Sequence, residues 1–164
     1  MELRPWHTGD ELLAAAASPF FSGASLTNRF LAGTGGRLPG GYLRHIAAGP
    51  RDVWDAQVAA GDDMLFGWAE FGRRPGVIAE ADLAILVADP WHRQGIATAL
   101  IRALLPRAAA AGVTMLNADV LPGNRAAHAL LRSIFGQPLR PAYIGGNAHY
   151  SMPVEAPILV GRSS

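Results

Sequence analysis

Between positions 85 and 98 the chain reads Ile85-Leu86-Val87-Ala88-Asp89-Pro90-Trp91-His92-Arg93-Gln94-Gly95-Ile96-Ala97-Thr98: an apolar strand, a short polar turn and the opening of a helix. The first turn of a helix leaves several N–H groups without internal partners and carries the positive end of the dipole. An oligophosphate can therefore sit on it with little side-chain help. Gly95 and Ala97 keep that surface bare, and Arg93 can add one charge-assisted contact. Just upstream, Glu80 and Asp82 interrupt the apolar run Val77 to Val87. The strand period of two puts both acids on one face, and a carboxyl in so apolar a strand invites a raised pKa.

Composition removes many other chemistries. All 14 basic residues are arginine, so a P-loop lysine and a Schiff-base nucleophile are excluded, and the absence of cysteine excludes thiolate chemistry, disulfides and zinc-thiolate sites. The five histidines, His7, His45, His92, His128 and His149, have no metal-ligand spacing, so no metal is expected. With 13 acidic residues against the 14 basic ones the net charge is +1, and neither nucleic acid nor a membrane surface is expected as a partner. No apolar run approaches the roughly 20 residues of a membrane span, and the polar start does not resemble a signal peptide, so a cytoplasmic location is expected. Gly33-Thr34-Gly35-Gly36 has no strand leading into it and is not a nucleotide fingerprint, while Gly23-Ala24-Ser25-Leu26-Thr27 falls one glycine short of a nucleophile elbow.

The elements that must hold the 80–98 stretch follow from periodicity. Met1 to Pro5 reads as a short strand, followed by a helix over Glu11 to Ala17 that Thr8 or Asp10 caps. Phe20 to Gly49 is rich in Gly, Ser, Thr and Pro, with apolar spacings that suit one or two short helices; such a segment on a rigid scaffold is where an acceptor site is expected. Asp52 to Ala59, Met64 to Arg73 and Val77 to Ala88 read as an antiparallel meander, the last strand covered on both faces. A helix over Gly95 to Ala111 buries Ile96, Leu100, Leu104 and Ala108. The strand after it, Thr114 to Leu121, should then pair in parallel with the one before. Asn124 caps a helix over Arg125 to Phe135, and Leu139 to Ile144 with Ala148 to Pro153 close the sheet around Gly145-Gly146-Asn147. On the Met64 to Arg73 strand, the alternation of Phe66 and Trp68 with Leu65 and Ala69 marks a face that could line the acceptor cleft.

The 85–98 stretch resembles the acyl-CoA-binding motif of the GNAT N-acetyltransferase superfamily, a strand ending in Val followed by a [Gln/Arg]-x-x-Gly-x-[Gly/Ala] turn into a helix. His92, Gly95 and Ala97 occupy the motif positions, with Val87 eight residues before the glycine. His92 departs from the usual Gln or Arg but leaves the backbone cradle intact. Asp119-Val120-Leu121-Pro122-Gly123-Asn124-Arg125-Ala126-Ala127-His128-Ala129-Leu130-Leu131 resembles the family's second block, a strand, an Asn and an Asn-x-x-Ala-x-x-Leu-Tyr helix. The resemblance implies an α/β fold, a GNAT-like mixed, mostly antiparallel central sheet of about six or seven strands flanked by helices, with residues 1–164 forming a single acyl-CoA-dependent N-acetyltransferase domain.

It further implies acetyl-CoA as co-substrate, held by Ile85, Leu86, Val87, His92, Arg93, Gln94, Gly95, Ile96, Ala97, Thr98 and Asn124, and an amine acceptor, with a homodimer compatible. Asp82 stands where some protein-lysine-acetylating members carry a catalytic Glu, Glu80 shares its face, and Asp119 stands where N-terminal-amine-acetylating members keep one. Many members place a general-acid Tyr where this chain has Leu131; Tyr143, Tyr150 and Ser133 are the candidates to replace it. Since a thiol titrates near pH 8.5, roughly, thiolate departure without an acid is tolerable. Ser25-Leu26-Thr27-Asn28-Arg29-Phe30-Leu31 looks most like the branch that acetylates protein lysines; a small-molecule amine is the other acceptor class. Leu131 and His92 also motivate a contrasting reading, a non-catalytic acyl-CoA-binding regulatory domain.

Overall fold

Gly61-Asp62-Asp63 and Arg74-Pro75-Gly76 turn the middle of the chain back on itself twice, and the computed structural model, which describes residues 1–156, contains the resulting antiparallel meander. Its strands are β2 (Trp54–Ala60), β3 (Leu65–Gly72) and β4 (Glu80–Val87), and β1 (Glu2–Pro5) pairs with the free edge of β2. Helix α4 (Ile96–Ala110) then crosses over the sheet, so that β5 (Met115–Val120) returns parallel to β4. After helix α5 (Arg125–Phe135), β6 (Ala142–Ile144) and β7 (Asn147–Pro153) form a hairpin whose two-residue loop, Gly145 at φ 59° and Gly146 at φ 82°, has the two positive φ angles that a tight hairpin of this hand requires. Strand β7 lies antiparallel to β5, and the seven-stranded order is β1-β2-β3-β4-β5-β7-β6.

Side chains alternate across the sheet into two cores. Leu83 and Val87 of β4 and Leu116, Ala118 and Val120 of β5 pack with Leu100, Ile101 and Leu104 of α4. The opposite face packs Trp54, Trp68 and Leu86 against Trp6, Phe21, Leu26 and Ile46, under helices α1 (Asp10–Ala17), α2 (Gly23–Phe30) and α3 (Gly40–Ala47). Helices α2 and α3 lie between Phe20 and Gly49, where one or two short helices are expected. Trp68 does not line a cleft: it is fully buried, edge-on to Phe21 at 5.7 Å and to Trp6 at 6.2 Å.

Four local expectations are revised. Strand β4 starts at Glu80 rather than Val77, because Val77 still belongs to the turn, its N–H donating to the Arg74 carbonyl at 3.0 Å. Its two-sided cover fails at Glu80 and Asp82, both exposed: the layer of α1 to α3 reaches Leu86 and stops short of them. Strand β6 spans only Ala142–Ile144; Pro138 and Pro141 before it have no N–H to give a ladder. Helix α1 is preceded by Gly9 rather than capped by Thr8 or Asp10, and the Asp10 carboxylate instead accepts from the His7 N–H and from Arg4. Residues 157–164 of the expected 1–164 domain lie outside the described residues. Among the described residues no helix is long and apolar enough to cross a membrane.

Candidate functional site

The parallel pairing of β4 with β5 lasts only from Glu80 opposite Met115 to Asp82 opposite Asn117. Beyond it β4 stays with β3 and β5 with β7, so the sheet forks between Leu83–Val87 and Ala118–Val120. The Ala88 N–H donates to the Phe66 carbonyl at 2.8 Å, which fixes the phase of the β3–β4 ladder. By the antiparallel alternation Leu86, opposite Trp68, directs its main-chain groups to β3, whereas Ile85 and Val87 direct theirs into the fork. His92 sits at this edge: its Nε2 lies 2.7 Å from the Val87 carbonyl, and since a carbonyl only accepts, Nε2 carries the proton and donates.

The turn from β4 to α4 is built by two left-handed residues, Arg93 at φ 61° and Gly95 at φ 76°. Gly95 is the N-cap, and no side chain caps the helix. In consequence the main-chain N–H groups of Arg93, Gln94, Gly95, Ile96, Ala97 and Thr98 find no acceptor among the described residues; the first satisfied amide is that of Ala99, bonded to the Gly95 carbonyl at 3.1 Å. A Cβ on Gly95 would meet nothing within 4 Å, so the space beside Gly95 is open. Ile96 is buried, whereas Arg93, Gln94 and Gly95 are exposed and Ala97 and Thr98 partly so. Asp89 anchors the turn to α2 by accepting from the Ser25 hydroxyl at 2.7 Å and from the Ser22 N–H at 3.2 Å.

On the α1–α3 face of the fork's closed end stand the acids. Glu80 and Asp82 line a recess with Arg74, Val77 and Asn117. Partial desolvation raises the Asp82 carboxyl above its ordinary value, as does the charge of Asp119, with smaller opposition from Arg74 and His149. Asp119 is exposed and its Oδ1 lies 2.8 Å from His149 Nδ1. Asn124 acts as the expected cap of α5, accepting from the Ala127 N–H at 3.2 Å.

The candidates for a replacement acid stand on α5, β6 and β7 rather than on the two strands that form the fork. Leu131 is buried in the α4–α5 core. Tyr150 is fully buried, and its hydroxyl meets His128 Nδ1 at 2.6 Å; because His128 Nε2 donates to the Leu121 carbonyl at 3.2 Å, Nδ1 is the acceptor and the Tyr150 proton is committed. Tyr143 is 71% exposed on the edge strand, and Ser133 is exposed on α5. Two groups of residues escaped the sequence reading. His149 joins the open face only through β5–β7 pairing, which no local pattern announces. Glu70, buried on β3, binds Arg29 of α2 at 2.7 Å and accepts from the Tyr42 hydroxyl of α3, which in turn accepts from Trp68 Nε1 at 2.8 Å. An acid inside the apolar Leu65–Gly72 strand is the same signal that marked Asp82, and it was available for Glu70.

The family model described as "Acetyltransferase (GNAT) family" matches residues 29–136. Among solved structures, the GNAT domain of S. lividans PAT superposes with a TM-score of 0.82 at 20% identity, covering 92% of this chain and 89% of that one. The putative acetyltransferase yncA from Salmonella typhimurium, solved with its cofactor acetyl-CoA, gives 0.70 at 17% identity, covering 99% and 98%. The ribosomal-protein-S18-alanine N-acetyltransferase from Escherichia coli gives 0.62 at 18% identity, covering 99% and 97%. A search of curated protein sequences returned no match.

Proposed function

The chain belongs to the GNAT acetyltransferase family, and from that premise we propose that residues 1–164 act as one domain that moves the acetyl group of acetyl-CoA to a primary amine, on a protein lysine or a small molecule. The observation that carries this reading is the run of six unpartnered amides from Arg93 to Thr98, opening beside the unpaired edge of β4. Those amides suit a pyrophosphate, because N–H groups and helix dipole both favour anionic oxygens there. The main-chain groups of Ile85 and Val87 suit the amide-bearing arm of the co-substrate, and an N–H on that edge can polarise the thioester carbonyl as charge develops on its oxygen. A yncA structure solved with acetyl-CoA on the same fold is in keeping with this use of the fork.

An ammonium near pKa 10.4, roughly, must lose a proton before its nitrogen can attack. Asp82, with Glu80 and Asp119 beside it, offers the negative charge to hold that ammonium and a carboxylate to take the proton, directly or through water. The neutral nitrogen then attacks the thioester carbon and the CoA thiolate departs. Leu131 donates nothing, which a leaving group of roughly thiol acidity, near pKa 8.5, tolerates.

Calorimetric titration with acetyl-CoA, followed by thiol-release assays over a panel of lysine peptides, polyamines and amino acids, tests the reading. Binding together with acetylation of at least one amine, reduced in Asp82→Asn, is expected. Binding without any acetylation would leave an acyl-CoA-binding module, and no binding would remove the role of the amides altogether.

A further inference from the structure

Strands β5 and β7 set Asp119 directly opposite His149, although 30 residues separate them in the chain. The alternation of β5 points Leu116, Ala118 and Val120 into the α4–α5 core, so Asn117 and Asp119 share the other face, that of Asp82. Across this face run two adjacent rows. Asp82, Asn117 and Ser151 form the first, joined in part by the Ser151 hydroxyl donating to Asn117 Oδ1 at 2.8 Å; Asp119 and His149 form the second, on the side where the fork widens. An ionised carboxylate only accepts, so His149 donates from Nδ1 to Asp119 at 2.8 Å, and in the neutral imidazole so oriented the Nε2 lone pair faces away from Asp119. The arrangement orients an imidazole as a proton acceptor and supplies a countercharge for the imidazolium.

Stoichiometry gives such a group work to do. An ammonium carries three protons and the product amide nitrogen carries one, so two protons leave the nitrogen in each turnover, while Asp82 can hold one at a time. We propose that His149, oriented by Asp119, is the second proton acceptor of the acetyl transfer, taking through water the proton that Asp82 first receives. This rests on the function proposed above and deepens it.

The steps balance as follows. The ammonium gives one proton to the Asp82 carboxylate, and that proton passes to His149 Nε2, forming an imidazolium paired with Asp119. The freed amine lone pair forms the C–N bond at the thioester carbon, the C–S bond breaks, and CoA leaves as thiolate. Asp82, ionised again, accepts the second proton from the nitrogen and returns it through solvent to the thiolate. The imidazolium releases the first proton to bulk water. Asp119 takes no proton in this scheme: it positions His149 and adds its charge to the face that holds the ammonium.

The test is chemical rescue. In His149→Ala, kcat should fall by roughly a hundredfold or more, with KM for the amine and Kd for acetyl-CoA unchanged, and added imidazole should restore the rate in proportion to its free-base concentration. Asp119→Asn, whose amide oxygen can still accept from Nδ1 but carries no charge, should fall by less. An undiminished rate in His149→Ala, or a loss that imidazole does not rescue, overturns the relay while leaving the acetyltransferase reading intact. A wild-type chain that binds acetyl-CoA but acetylates no amine overturns that reading and the relay with it.

Discussion

Asp82 is ionised at a cost. Its carboxyl lies above the ordinary carboxylate value, mainly through desolvation and secondly through Asp119, so the native chain carries a penalty wherever Asp82 is charged both folded and unfolded. The penalty is absent below the unfolded value and complete once pH has risen through the native one. Asp82→Asn should therefore lose activity without losing melting temperature, or with a slight gain, a pairing that a merely structural carboxylate would not produce. The acidic limb of the wild-type rate profile should also stand above the ordinary carboxylate value of about 3.9, since the working form is ionised. Gly95 makes a second case. A side chain there has room but not the right backbone, because φ is 76°. Gly95→Ala should cost about 1 kcal/mol of stability and weaken acetyl-CoA binding, read by denaturant midpoint and by titration. Asp82 and Gly95 were legible because each breaks the pattern around it. His149 was not, because its importance arises only when β7 sets it opposite Asp119.

At the level of elements, helices α2 and α3 are pinned to β3 by charge that has been taken out of water. Arg29 of α2, Tyr42 of α3 and Glu70 of β3 converge, with the Arg29 guanidinium stacked over Phe30 at 4.6 Å and Tyr42 at 5.1 Å. Burial, and then the Glu70 charge, raises the Tyr42 hydroxyl well above its ordinary value, so it remains a donor. Removing one partner of such a pair strands a buried charge. Arg29→Met alone should cost about 3–5 kcal/mol in chemical denaturation, whereas Arg29→Met with Glu70→Leu should recover much of that loss. The two short helices were readable from spacing, but their attachment was not: Glu70 lies 41 residues from Arg29 and 28 from Tyr42, and only the fold brings them together. The end of β4 shows the opposite limit. Apolar composition alone described a strand covered on both faces, while the actual cover depends on how far α1 to α3 extend over the sheet.

For the molecule as a whole, the parallel β4–β5 pair is the feature on which the proposed function depends. A meander can remain paired along its length, but a strand returning from a crossover helix has no turn tying its far end to its neighbour, and here the two separate after three residue pairs. The order of strands and helices was legible because each element carries its own periodicity; the fork was not, because it is an absence of pairing between distant segments. It also predicts how ligand energy divides. If the amides at Arg93 to Thr98 hold a pyrophosphate, acetyl-CoA at about 100 times its Kd should add about 2.7 kcal/mol of stability, a rise of roughly 5–10 °C in melting temperature for a chain of this length. Pantetheine, which offers the arm for the β4 edge but no phosphate for the amides, should raise the melting temperature far less at the same concentration. Equal shifts from the two ligands, measured by differential scanning calorimetry, would assign the binding energy to the strand edge and leave the helix terminus without a role.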